Sequence, residues 1–131
     1  MTTPQLYATF RYQDADQALA FLRALGFTER LVVRDEQDPS VVQHAQLQWR
    51  DNGGVMLGSV QPCMHPGPTV GQQSANLVVA SDAEVDATIQ RALQAGGTLA
   101  QEIRENPYGG RSGLIRDPEG NHWNIDSYPG E

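Results

Sequence analysis

Two stretches of the chain show the 3.6-residue spacing of a helix that hides one face. Residues 15–25 place Ala18, Leu19, Leu22 and Leu25 on one stripe, with Asp14 as N-cap and Gly26 as the stop. Residues 82–95 place Val85, Ile89, Ala92 and Leu93 on another. Ser81 and Glu84 form an S-x-x-E capping box ahead of that stripe, and Gly96-Gly97 ends it. The remaining apolar positions follow the shorter period of strands. In the first half these are LYATFRY (6–12), FTERLVVR (27–34), QHAQLQW (43–49) and VMLGSV (55–60). In the second half they are ANLVVA (75–80), TLAQEI (98–103), SGLIR (112–116) and HWNIDSY (122–128). The order is strand, helix, three strands, and then the same again.

The two halves overlay. Asp16 matches Asp86 and Gly26 matches Gly96 at an offset of 70, while RDNGG (50–54) matches RDPEG (116–120) at an offset of 66. A longer loop in the first half, DEQDPS (35–40), accounts for the difference. The pattern predicts an α+β fold. A first βαβββ module (1–60), a Pro/Gly-rich connector (61–74) and a second module (75–131) together make one domain. Each module is expected to be a curved, mostly antiparallel sheet with a helix on one face and a concave open face on the other. Pairing two concave faces would enclose a ligand cavity.

Composition narrows the function. No apolar run approaches the roughly 20 residues of a membrane span, and MTTPQLYATFRYQD lacks the basic-then-apolar pattern of a secretory leader. The single cysteine, Cys63, excludes an internal disulfide and suits the cytoplasm, where it reads as a spectator thiol. A net charge of −7 disfavours nucleic acid as a partner. All nine basic residues are arginine, which rules out a Schiff-base or P-loop lysine. An acidic chain suits neutral or cationic small ligands.

The paired βαβββ order, ALGF (24–27), HAQLQW with GGVMLGS, and above all PYGGRSGLIRDPEGNHWNI (107–125) resemble the vicinal oxygen chelate superfamily. That superfamily includes glyoxalase I, extradiol dioxygenases, fosfomycin-inactivating transferases and bleomycin-resistance proteins. The resemblance implies four metal-ligand positions on the concave faces, one on each of four strands. Carried onto this chain they fall at Tyr7, Leu57, Asn76 (or Ala75, one residue away) and Asn124. A phenol, an alkyl group and two amides are poor ligands for a divalent metal. Neither metal nor other cofactor is therefore expected.

Other candidates cluster on the last strand. Trp123 and Ile125 should face the helix, which turns His122, Asn124 and Asp126 either to the cavity or to bulk solvent. Asp126 is a candidate general base for which the sequence supplies no partner. Trp49 serves either as core or as a stacking wall for a flat ligand, and Tyr7 can stack on a ligand and donate its hydroxyl. Tyr108 and Arg111 flank Gly109-Gly110 on a predicted rim, as a clamp or as ordinary loop residues. His44 falls in a predicted outer strand. In the connector, Cys63, Met64 and His65 match no zinc spacing. The expected function is binding and sequestration of a small aromatic or amphipathic compound, such as an antibiotic or natural product, by a bleomycin-resistance-like homodimer. The alternatives are a glyoxalase-like lyase or dioxygenase with a metal, and a metal-free enzyme acting through Asp126 or His122.

Overall fold

The computed structural model describes residues 4, 6–61, 71 and 73–130. Cys63, Met64 and His65 lie outside them. Two helices and eight strands follow one another as β1 (Tyr7–Tyr12), α1 (Ala15–Leu25), β2 (Thr28–Arg34), β3 (Val42–Trp49), β4 (Gly53–Ser59), β5 (Ser74–Val78), α2 (Asp82–Gln94), β6 (Thr98–Glu105), β7 (Arg111–Arg116) and β8 (His122–Asp126). This is the tandem βαβββ arrangement.

Local chemistry sets the helix ends. The Asp14 carboxylate accepts the Gln17 amide at 3.0 Å, and Ser81 Oγ accepts the Glu84 amide at 3.3 Å. These bonds satisfy amides that a helix start otherwise leaves unpaired. Gly26 closes α1 at a φ of 128°, where a side chain would be strained. The predicted stripe of α1 is wholly buried. On α2 one member is corrected: Leu93 is 38% exposed, and Thr88 is buried in the core face instead.

The strands form two four-stranded sheets, ordered β1-β4-β3-β2 and β5-β8-β7-β6. In each, the first strand of the unit runs parallel to the last and the other pairs are antiparallel. Phe10, Tyr12, Leu47, Val55 and Leu57 of the first sheet, and Leu77, Ile115, Trp123 and Ile125 of the second, belong to a single buried cluster with both helices. Phe10 stacks on Trp123 with ring centroids 4.7 Å apart, and Phe27 meets the same indole edge-on at 5.9 Å. Fully burying side chains of this size contributes roughly 1.5–3 kcal/mol each.

Polar contacts fix the units to each other. Arg91 of α2 donates from Nε to the Ala24 carbonyl at 3.1 Å and from Nη2 to the Leu25 carbonyl at 3.0 Å, a cation at the negative end of α1. The RDPEG turn supplies the rest. Asp117 accepts the Tyr12 hydroxyl at 2.6 Å, and Glu119 accepts the amides of Gln13 and Asp14, both at 2.7 Å. Since the helix-facing sides of both sheets meet in one core, the two open faces turn away from it. No helix among the described residues is long and apolar enough to cross a membrane.

Candidate functional site

On the first sheet's open face, strand register places Tyr7 beside Gly54 and Gln48, Thr9 beside Met56 and Gln46, and Arg11 beside Gly58. Tyr7 lies over Gly54: a methyl group there would come within 2.6 Å of its ring carbons. His44 stands on this face in an interior strand, not an outer one, and Gln46 Nε2 lies 2.9 Å from its Nε2. Thr9, Arg11, His44 and Met56 border a groove of about 170 Å³.

The second sheet's open face is more polar. Asn76 and Asn124 are register partners, and the Asn124 amide donates to Asn76 Oδ1 at 2.6 Å. His122 lies one step along the strand, between Ser74 and Arg116. At the other end Asp126 is buried. Its Oδ1 accepts the Tyr128 amide at 2.8 Å and the Asn106 side-chain amide at 3.3 Å, and Ser112 Oγ donates to Asn106 Oδ1 at 2.8 Å. Asp126 thus has the partner that the sequence did not reveal, and the partner is an amide, which cannot relay a proton as a histidine would.

A third concavity lies along the seam between the sheets. Trp49, Gly53 and Asn76 border two adjoining clefts of about 350 and 300 Å³. The Trp49 indole tilts against Phe27 at 5.0 Å and donates from Nε1 to the Val78 carbonyl at 2.8 Å. It packs against Phe27 and also borders both clefts.

Two candidates, Leu57 and Arg111, sit elsewhere than expected. Leu57 is 3% exposed and packs in the core; Met56 holds the open-face position on β4. Alternation along a strand makes a one-residue slip a change of face. Arg111 points to the helix side of β7, where it forms a bidentate pair with Asp86 of α2 at 2.8 and 3.2 Å and donates to Glu105 at 2.9 Å. The bond to Asp86, and then that to Glu105, pushes the Arg111 pKa still higher, and the same contact holds Asp86 below the usual carboxylate range. Tyr108 is 62% exposed and meets Tyr128 edge-on at 5.1 Å. The structure brings Asn76, His122, Asn124 and Asp126 together on one face and places Tyr7 on the other. Tyr108 and Arg111 join neither.

The model of the glyoxalase/bleomycin resistance protein/dioxygenase superfamily matches residues 5–125. The chain belongs to this superfamily. It is 36% identical over 87 residues to Mb0911c of Mycobacterium bovis, covering 63% of this chain and 56% of that protein. The match to Rv0887c of Mycobacterium tuberculosis is also 36% over 87 residues, covering 50% of that protein. The chain thus spans about half the length of the curated relatives it matches. Among solved structures it is similar to TioX from Micromonospora sp. ML1, with a TM-score of 0.71, 25% identity, and 92% and 95% of the two chains covered. It shares its fold with a lactoylglutathione lyase from Agrobacterium tumefaciens, with a TM-score of 0.67, 23% identity, and 92% and 90% coverage.

Internal symmetry relates the Asn76–Asn124 pair to a pair on the first sheet. Asn76 lies six residues before the start of α2; the residue six before the start of α1 is Thr9. The lateral pair Asn76–Asn124 therefore corresponds to Thr9–Met56, one step along the sheet from Tyr7. The helices start at Ala15 and Asp82, and the spacing between those starts is the one that relates Thr9 to Asn76. A hydroxyl, a thioether and two amides do not fit a divalent cation, which wants imidazole, thiolate or carboxylate. Among the described residues no three His, Cys, Asp or Glu side chains gather into a metal-binding group.

Proposed function

We propose that the protein binds a small aromatic or amphipathic compound, such as an antibiotic or natural product, by stoichiometric sequestration without a metal. The observation that carries this reading is that the lateral pairs Thr9–Met56 and Asn76–Asn124 on the two open faces offer no imidazole, thiolate or carboxylate. These side chains suit apolar contact and neutral hydrogen bonding. Tyr7 adds an aromatic surface to one open face, and the Asn76–Asn124 amides add donors and acceptors to the other.

Affinity in such a site comes from a mostly apolar concavity with a few placed polar groups. The open faces of one chain diverge from the shared core, so a second copy would roof each of them. A homodimer in the cytoplasm is part of this proposal. Among the described residues no nucleophile is paired with a base as covalent catalysis requires: Asp126 faces an amide, and the His122 imidazole makes no hydrogen bond.

A test combines metals and ligands in one thermal-shift screen of the dialysed protein. Ni²⁺, Zn²⁺ and Fe²⁺ are compared with a panel of planar natural products and antibiotics, and bound metal is measured after dialysis. The expected result is stabilisation by members of the panel, their unchanged recovery, and no metal retained. One equivalent of tightly held metal, or conversion of the ligand, would refute the proposal in favour of a lyase, a dioxygenase or a metal-free enzyme.

A further inference from the structure

Of the nine arginines, six have named partners in the structure: Arg23, Arg34 and Arg111 in ion pairs, and Arg50, Arg91 and Arg104 in hydrogen bonds. Arg30 is also engaged. Arg11 and Arg116 have neither kind of partner among the described residues. Arg116 is exposed at the end of a hairpin, but Arg11 is half-buried on the first sheet's open face. An unpaired guanidinium in that position forgoes hydration without gaining an ion pair.

The neighbouring residue explains how it is held. Gly58 is the register partner of Arg11 on β4, and its φ is not positive, so the backbone does not require glycine. Space does. A methyl group on Gly58 would fall on Arg11 Nη1 and lie 3.0 Å from the Gln43 carbonyl oxygen. Glycine inside a strand costs packing and backbone entropy, and it marks a close approach. Here the guanidinium lies over the strand at that gap, beside the groove lined by Thr9, His44 and Met56. His44 borders the groove with its Nε2 2.9 Å from Gln46 Nε2. Thr9 adds a hydroxyl. No carboxylate lines the groove, so the chain's overall negative charge does not extend to it.

We propose that Arg11, seated over Gly58 and flanked by His44 and Thr9, is an oxyanion subsite, and that the bound compound carries an acidic group. This rests on the binding function proposed above and specifies its ligand class. The planar guanidinium fork matches a carboxylate or a phosphoryl group in two-point contact, and the Met56 side supplies apolar surface for the rest of the molecule.

The test uses matched probes: 1-naphthoate, 1-naphthyl phosphate, neutral 1-naphthalenemethanol, and inorganic phosphate. Affinities are measured by calorimetry, and the arginine Nε–H signals are followed by NMR. Arg11→Met keeps the apolar stem, and Arg116→Met removes the same charge from the other face. The expected result is that one of the acidic probes binds about tenfold or more tightly than the alcohol, with the advantage lost in Arg11→Met and kept in Arg116→Met. The preferred probe decides between carboxylate and phosphoryl. Equal binding of acid and alcohol, or an advantage that survives Arg11→Met or falls equally in Arg116→Met, overturns the subsite and leaves the binding function standing. If no naphthyl probe binds, the aromatic reading fails for this class. Inorganic phosphate then decides the subsite: a shifted Arg11 signal that Arg116→Met retains upholds it, and an unmoved signal overturns it.

Discussion

Replacing Asp117 with alanine removes a carboxylate that accepts from five different donor groups. Its carboxylate is 4% exposed. Oδ2 accepts the Tyr12 hydroxyl at 2.6 Å, Trp123 Nε1 at 3.1 Å and the Asn121 side-chain amide at 3.1 Å. Oδ1 accepts the backbone amides of Glu119 and Asn121, both at 3.0 Å. Tyr12, Asn121 and Trp123 are themselves buried, so three side-chain donors would lose their acceptor in a region that water does not reach. Each buried donor left unsatisfied costs roughly 1–3 kcal/mol. Even at the lower end the loss is about 3 kcal/mol, and breaking a buried charged network by removing one partner typically costs about 3–5 kcal/mol. A domain of this size has roughly 5–15 kcal/mol in total.

Urea unfolding followed by Trp fluorescence and by circular dichroism measures the effect. With a slope of about 2 kcal/mol/M, a loss of about 3 kcal/mol lowers the midpoint by about 1.5 M. Trp fluorescence reports on both units, because Trp49 belongs to the first and Trp123 to the second. A midpoint shift below about 0.5 M would show that RDPEGN is an ordinary turn whose donors find other partners, and would refute its role in holding the two units together. Two separate transitions would show that the units unfold independently, which their common core argues against.

Tyr12→Phe tests the same network through pH. Burial, and then the charge of Asp117, pushes the Tyr12 pKa well above its ordinary value near 10. The folded pKa is the higher one, so this stability is present below about pH 10 and is lost as the unfolded chain ionises first. Tyr12→Phe should be less stable near neutrality, by about 1.5–3 kcal/mol for a hydrogen bond to a charged group. The gap to the wild type should then narrow by about 1.4 kcal/mol per pH unit above pH 10; urea midpoints that stay parallel from pH 8 to 11 would contradict the assignment. Arg91→Met removes two bonds from a guanidinium to the α1 carbonyls while keeping the apolar stem, and should lower stability by about 1.5–3 kcal/mol. A midpoint unchanged within error would show that water replaces them.

The elements were legible because each carries its own local signal. Ser81, Asp14 and Gly26 mark helix ends by chemistry that acts within four residues, and the repeat shows in the order of periods. Which face a strand residue takes was less secure. Leu57 and Met56 are adjacent and both apolar, so the alternation that separates core from open face is silent there, and only pairing with Thr9 and Phe10 resolves it. Arg111 was read from its place beside Gly109-Gly110; its direction depends on Asp86, 25 residues away on α2. Arg11 was legible and overlooked: it alternates with Phe10 and Tyr12, which marks it as open-face. What the sequence does not show is that Gly58 stands beside it.

The turn that most strongly signals the superfamily illustrates how identity and function separate. RDPEGNHW carries the resemblance, yet in the structure Asp117 and Glu119 reach back to Tyr12, Gln13 and Asp14, and Trp123 fills the core against Phe10. These contacts hold one unit to the other whatever the open faces bind. The open faces vary without disturbing them, because Thr9, Arg11, Met56, Asn76 and Asn124 point away from the shared core. A scaffold held together on its helix side can therefore exchange a metal site for neutral or cationic side chains at little cost to folding. In this chain the first sheet's open face carries a guanidinium over a glycine and the second an amide pair, so the acidic group proposed for the ligand and any neutral hydrogen-bonding groups it carries would meet different faces.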